Sequence, residues 1–240
     1  MRAHRLLFSI GIVCLSSLAG DANAQQGPAT FPFGSVSLTV PPPGDHVEVF
    51  ATNPQLRQYF VGPIKAMADV LAGYVPTKAL PTLQQTGRLQ NLDTFALLGT
   101  SPELRNLNVT PEYFQAMANK VRAGLGGTLQ RNEAQIAAAV ADVGKRMKSD
   151  SSWQGSGAIG VFDDRSNRLG ILLLTLYSFD GTPTPILSAN TLVRVHERLL
   201  FAYVYSRDID PKKTTGLTSV ARSWTDAILA ANGDGSAQRR

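Results

Sequence analysis

Apolar positions recur with a period of two in some stretches of this chain and of three to four in others. Prolines, glycines and polar runs mark the changes. Between Ser35 and Val40 the apolar positions are Val36, Leu38 and Val40, one face of a strand. Pro41-Pro42-Pro43-Gly44 stops it, and His46 to Phe50 reads as a second short strand. Asn53-Pro54 has the cap-then-proline form of a helix start, here for a short helix over about residues 54–60. Val70 to Val75, closed by Pro76, is short and apolar and reads as a buried strand, with a helix over residues 64–72 as the competing reading. Leu92 to Gly99 is a further apolar strand.

The period then lengthens. Thr110-Pro111-Glu112 supplies a cap, a proline at the first helical position and an acid near the positive end of the helix dipole. Phe114, Met117, Val121 and Leu125 follow at helical spacing, and Gly126-Gly127 breaks the run. A second helix is expected from about Thr128 to Lys148, with Leu129, Ile136, Val140, Val143 and Met147 on one face. Lys145, Arg146 and Lys148 suit its negative end.

Residues 149–157, SDSSWQGSG, read as a polar loop. Strands are expected at Gly157 to Phe162 and Leu169 to Phe179, joined by a DDRSN turn at 163–167. The second strand is apolar on both faces, with Ile171, Leu173 and Tyr177 on one and Leu172, Leu174 and Leu176 on the other, which calls for cover on both sides. After a DGTPTP loop at 180–185, Ile186 to Val195 and Leu199 to Tyr205 form a hairpin about His196-Glu197. Leu217, Val220, Trp224, Ala227, Ile228 and Ala231 then make one helical stripe, ended by Asn232-Gly233. The expectation is an α+β fold: a mostly antiparallel sheet covered by helices on both faces, an α/β/α sandwich.

The first 24 residues carry the pattern of a secretory signal peptide. Arg2, His4 and Arg5 precede an apolar run from Leu6 to Leu18, and Ala22-Asn23-Ala24 is a small-residue cleavage site. The run is too short to span a bilayer, which takes roughly 20 residues. We therefore expect cleavage after Ala24, a periplasmic or secreted protein, and no transmembrane segment after the leader. The domain plan is 1–24 signal peptide, 25–34 flexible lead-in, 35–233 one globular domain and 234–240 flexible tail. Cys14, the one cysteine, lies in the middle of the leader behind Val13, a poor place for lipidation, so the exported chain has no thiol and no disulfide. Removing the leader takes Arg2, Arg5 and Asp21 and lowers the net charge from +5 to +4. That mild excess is not clustered with aromatics, and no nucleic-acid partner is expected.

Each candidate chemistry has a weak base. His46 and His196 are the only histidines after the leader, and the position four residues after His196 is Leu200, so the zincin pattern fails and no metal site is expected. Asp163, Asp164, Asp180, Asp208 and Asp210 fall in expected loops and could converge on a hard cation, but turn aspartates ordinarily bond their own backbone. Gly155 to Gly160 matches G-x-G-x-x-G, but a loop precedes it and a strand follows, the wrong frame for a dinucleotide. Lys213-Thr214-Thr215-Gly216 contains a K-T-G triplet without the S-x-x-K that accompanies it in penicillin-recognising enzymes. No G-x-S-x-G elbow occurs, and no cofactor is expected. Phe201, Tyr203 and Tyr205 alternate on one strand face as core or as a ligand platform. Trp153, beside Gly155 in a polar stretch, reads as a contact residue or as a plug of the sheet end.

The closing segment, TLVRVHERLLFAYVYS followed by TSVARSWTDAILAAN, together with the element order, resembles the layout of PsbP-like exported proteins. The resemblance implies a small antiparallel sheet between helices and a non-catalytic accessory role, with no residue carried over. The expectation is an exported non-catalytic binding or accessory protein whose partner is another envelope protein or a small ligand. The contact residues expected are Trp153, Asp163, Asp164, Arg165, Arg168, Asp208 and Asp210, in loops at one sheet end. The alternative is a secreted hydrolase using carboxylates or His196.

Overall fold

The computed structural model describes residues 27–51, 53–54, 56–57, 69–86, 92–125, 151–179 and 181–234. The leader, the helix expected over 128–148, most of the 54–60 helix and the tail after residue 234 lie outside them.

The strands are β1 (Ala29–Phe33), β2 (Val36–Val40), β3 (His46–Glu48), β4 (Asp69–Pro76), β5 (Thr94–Thr100), β6 (Ser151–Arg165), β7 (Arg168–Phe179), β8 (Thr182–Val195) and β9 (Arg198–Ser206). The helices are α1 (Leu80–Thr86), entered through a 3-10 turn, α2 (Pro111–Gly124) and α3 (Pro211–Ala231). β1 and β2 form a two-stranded sheet, and the other seven run in the order β3-β4-β5-β9-β8-β7-β6 with every neighbouring pair antiparallel. The protein is thus α+β with antiparallel sheets. Among the described residues no helix is long and apolar enough to cross a membrane.

Local chemistry explains most of these elements. Thr110 caps α2, its side chain accepting from the Tyr113 N–H at 3.2 Å, with Pro111 in the first turn and Arg122 in the last. The β8–β9 hairpin turns on two residues, His196 and Glu197, with φ of 44° and 61°. Such a turn favours Asn-Gly, and side chains other than glycine there carry strain. Two outside bonds hold it: the His196 N–H donates to Asp234 Oδ2 at 2.8 Å and the Val109 N–H donates to Glu197 O at 2.8 Å.

Three expectations change and one alternative is settled. Residues 29–33, read as part of a flexible lead-in, form β1, because Phe33 is fully buried and Arg198 Nε donates to its carbonyl. Residues 69–76 are strand, which settles the 64–76 alternative over that span. The polar stretch 151–157 belongs to β6, because the register of β7 extends to Ser151↔Phe179 despite the glycines. β8 likewise begins at Thr182, inside the expected loop.

Core residues on neighbouring positions divide between helices. Leu200, Ala202 and Val204 of β9 pack with Leu217, Ala221, Trp224 and Ile228 of α3. The intervening Leu199 and Phe201 pack with Phe114 and Ala118 of α2. A third cluster joins Val75 and Leu97 to Leu83 of α1. Cover on β7 is incomplete: Ile171 and Leu172 are buried, but Leu174 and Leu176 are 38% and 36% exposed. The reason is length, since the last β8–β9 pair is Leu187↔Ser206 while β7 and β8 run on to Phe179↔Thr182.

Candidate ligand cleft

α2 leaves a gap over the sheet along its second half. The gap is a cleft of about 360 Å³ between Met117, Lys120, Val121, Gly124 and Leu125 of α2 and the strands β7, β8 and β9. Ile171, Leu173, Leu192, Phe201 and Tyr203 form its sheet wall. Helical spacing places Met117, Val121 and Leu125 toward the sheet, and Gly124 offers no side chain to fill the space. The volume falls within the range of small-molecule sites, as does the mixture of an apolar lining with few polar groups.

Two polar groups stand out. Lys120 is exposed and is the one charged residue in the lining among the described residues. Asn190 lies between Ile171 and Tyr203 in register, and its Oδ1 is buried with no hydrogen-bond partner. An unmet buried amide is costly unless something meets it. Thr191 Oγ1 is also buried and unmet, but as the next residue of the strand it points away from Asn190. Burial pushes the Tyr203 phenol up from its ordinary value, so it stays a neutral group at neutral pH.

The expected contact residues do not assemble there or anywhere as a group. Asp163, Arg165 and Arg168 meet under α3. Arg168, fully buried, stands 2.8 Å from Asp163 Oδ2 through Nε and 2.7 Å from Asp226 Oδ1 through Nη1. The Nε–H is not aimed along the first contact, which makes it an ion pair rather than a formed hydrogen bond, and Nη2 is buried unmet. Arg168 Nη1 also donates to Thr225 Oγ1 at 3.0 Å, and Arg165 Nε lies 3.3 Å from Asp163 Oδ1. This cluster ties the β6–β7 hairpin to α3. Asp164 points elsewhere and pairs with Arg122 of α2, whose Nε donates to it at 3.1 Å.

Asp208 and Asp210 serve the start of α3. The Asp208 N–H donates to Ser206 Oγ at 3.0 Å, the Asp210 N–H donates to Asp208 Oδ1 at 3.1 Å, and the Thr214 N–H donates to Asp210 O at 3.1 Å. Trp153 pairs with Tyr177 near the open end of the β6–β7 hairpin. Ten strand residues separate it from Asp163, roughly 30 Å. The idea of one contact surface at one sheet end is therefore corrected: strand β6 holds its two halves apart.

The residues of other motifs are also placed. Gly155 to Gly160 lies inside β6 across its register shifts, with no helix beginning in it. His196 is exposed on the strained turn. His46 is buried, with both ring nitrogens lacking a hydrogen bond. Burial lowers its pKa, opposed by Asp45, whose carboxylate lies 3.4 Å away. Among the described residues no group of three or more His, Cys, Asp or Glu could hold a metal ion.

Sequence reasoning missed Lys120 and Asn190. The available signal was Asn190 itself, an amide inside the otherwise apolar alternation of Ile186 to Val195. The aromatic stripe was seen, and it joins this wall: Phe201 and Tyr203 stand 6.2 Å apart, and Tyr205 stacks on Phe95 at 4.5 Å.

No protein-family model matches the sequence, and neither does any curated protein. Among solved structures, a mutant of protein Mog1 aligns over 87% of this chain and 94% of that one, at 8% identity and a TM-score of 0.29. The Ran-binding protein Mog1p of Saccharomyces cerevisiae aligns over 86% and 93%, at 7% identity and a TM-score of 0.27. Superpositions at this level carry no inference about role.

Proposed function

We propose that this chain is an exported, non-catalytic binding protein that holds a small molecule in the α2 cleft. The observation that carries the reading is the cleft itself: an apolar space of about 360 Å³ with an unmet amide in its wall. Export rests on the leader pattern of residues 1–24. We read the architecture as an α/β/α sandwich of PsbP-like layout. The division of β9 side chains between α3 and α2 supports that reading. The hydrolase alternative gains little from the site, because among the described residues no carboxylate and no histidine lines the cleft.

Native mass spectrometry of the protein purified gently from its own envelope fraction tests this. The expected result is a chain lacking 24 residues that carries a small molecule, with Val121→Trp losing that molecule while its circular dichroism is unchanged. A ligand-free protein that also fails to take up any small apolar probe refutes the reading. A second reading, docking of another envelope protein, is favoured by Ile159 and Val161 on edge strand β6, 57% and 41% exposed. A stoichiometric protein partner lost on Ile159→Lys, with the cleft empty, would select it instead.

A further inference from the structure

We propose that the cleft's ligand is a small amphipathic carboxylate, a straight-chain fatty acid of about ten carbons. Its chain would lie on the apolar lining, and its head group would be met by Lys120 and Asn190. This inference rests on the small-molecule reading above and specifies its chemistry.

Charge comes first. Among the described residues the lining contains one cation, Lys120, and no acid, so an anionic head is complementary and a cationic one is not. Lys120 is exposed, and its flexible stem lets the ammonium follow a head group at the rim. Gly124 stands one helical turn further along the same face and leaves the approach open.

Hydrogen bonding comes second. The Asn190 amide presents a buried, unmet Oδ1, and turning it by half a revolution presents an N–H donor at the same place. A carboxylate oxygen accepts from that donor. An unfunctionalised hydrocarbon would leave the amide unmet, which disfavours it as the occupant.

Shape and size come third. Met117, Val121, Leu125, Ile171, Leu173 and Leu192 supply a mainly aliphatic wall, which suits a methylene chain. At about 30 Å³ for each small group, the volume admits about a dozen non-hydrogen atoms, the size of decanoate.

Isothermal titration of the purified full chain with decanoate, decanol and decyltrimethylammonium, each below its aggregation limit, tests the proposal. Decanoate is expected to bind about fivefold or more tighter than decanol, and the cation weakest. Lys120→Met should remove the preference for decanoate over decanol. Asn190→Leu should weaken decanoate about tenfold while thermal melting confirms the fold. Equal binding of decanol and decanoate, or a preference untouched by Lys120→Met, overturns the carboxylate assignment and leaves the small-molecule reading standing. Decanoate binding that survives Val121→Trp overturns the cleft as its location and with it the functional reading. Failure of all three probes to bind overturns the fatty-acid assignment, and the mass-spectrometric result then decides the broader reading separately.

Discussion

The residues that pack with α3 and those that pack with α2 make very different use of one sheet. Under α3 the space is full. Trp224 is buried, meets Tyr74 edge to face at 5.4 Å and donates its Nε1–H to Pro41 O at 2.8 Å. Asn232 at the helix end clamps β2, accepting from the Thr39 N–H at 2.9 Å and donating to its carbonyl at 2.7 Å. Even Gly170 is covered: a Cβ there would lie 2.6 Å from the Phe162 ring, which Arg222 caps at 5.5 Å. Under α2 only Phe114 and Ala118 of the helix are fully buried, and the rest of its inner face borders the cleft. One side spends its side chains on packing, while the other keeps an opening and an unmet amide. The lesson is that the best candidate for function is where packing is least complete, not where charges are densest.

The largest expected effect lies on the α3 side. Trp224→Ala should cost roughly 3–5 kcal/mol in urea unfolding, through lost contact, the cavity left behind and an orphaned Pro41 carbonyl. Val121→Ala on the cleft side should cost well under half of that, because its side chain already borders empty space. Equal losses would erase the distinction between the two sides.

Next is the buried ion cluster. Arg168→Leu should cost about 3 kcal/mol, because it removes the buried cation beside Asp163 Oδ2 and leaves that carboxylate, 5% exposed, with only the half-exposed Arg165. The double variant Arg168→Leu with Asp163→Leu should recover most of the loss, since Asp226 and Arg165 reach solvent. A double variant as unstable as the single one would show that the cluster does more than avoid a stranded charge.

Alkaline pH probes both sides together. Burial raises the phenols of Tyr74 and Tyr203 above their usual value, that of Tyr177 to about 12, and that of Tyr205 well up, with its neighbours adding to the shift. A folded-state pKa above the unfolded one contributes stability that is complete below about pH 10 and is lost as pH rises through the folded values. Unfolding free energy should therefore fall steadily above about pH 10. Tyr203→Phe should flatten part of that fall, as pH-dependent urea midpoints would show. His46 works at the other end and with the opposite direction. Burial lowers its pKa, so its contribution is complete above about pH 6.5 and is lost as pH drops below that value.

The smallest effect concerns one cap. Thr110→Ala should cost about 1 kcal/mol by urea unfolding, with the loss falling on α2. Faster hydrogen exchange confined to residues 111–124 would show that the cleft's roof opens independently of the α3 side.

Much of the fold was legible because its signals are local. A cap with proline after it announced α2, and a helical stripe with Asn232-Gly233 behind it announced α3. Alternation bounded by turn residues placed β7, β8 and β9 and the hairpin at His196-Glu197. The segments that escaped are those whose conformation is set from a distance. β1 carries two prolines' worth of loop signal in its neighbourhood, yet Arg198 and Arg105 bond its carbonyls from 165 and 73 positions away. β6 opens with glycine and serine, and only the register of β7 makes it strand.

The candidate site shows the same division more sharply. Residue types along the chain settled the periodicities, the caps, the leader pattern and the poverty in catalytic motifs, because each depends on neighbours a few positions apart. Tertiary structure alone decided that Lys120, Leu173, Asn190 and Tyr203 share one wall, and that Trp153 and Asp163 do not. The reason is physical: a cleft is space left over when distant elements pack, and no local rule records what packing leaves unfilled.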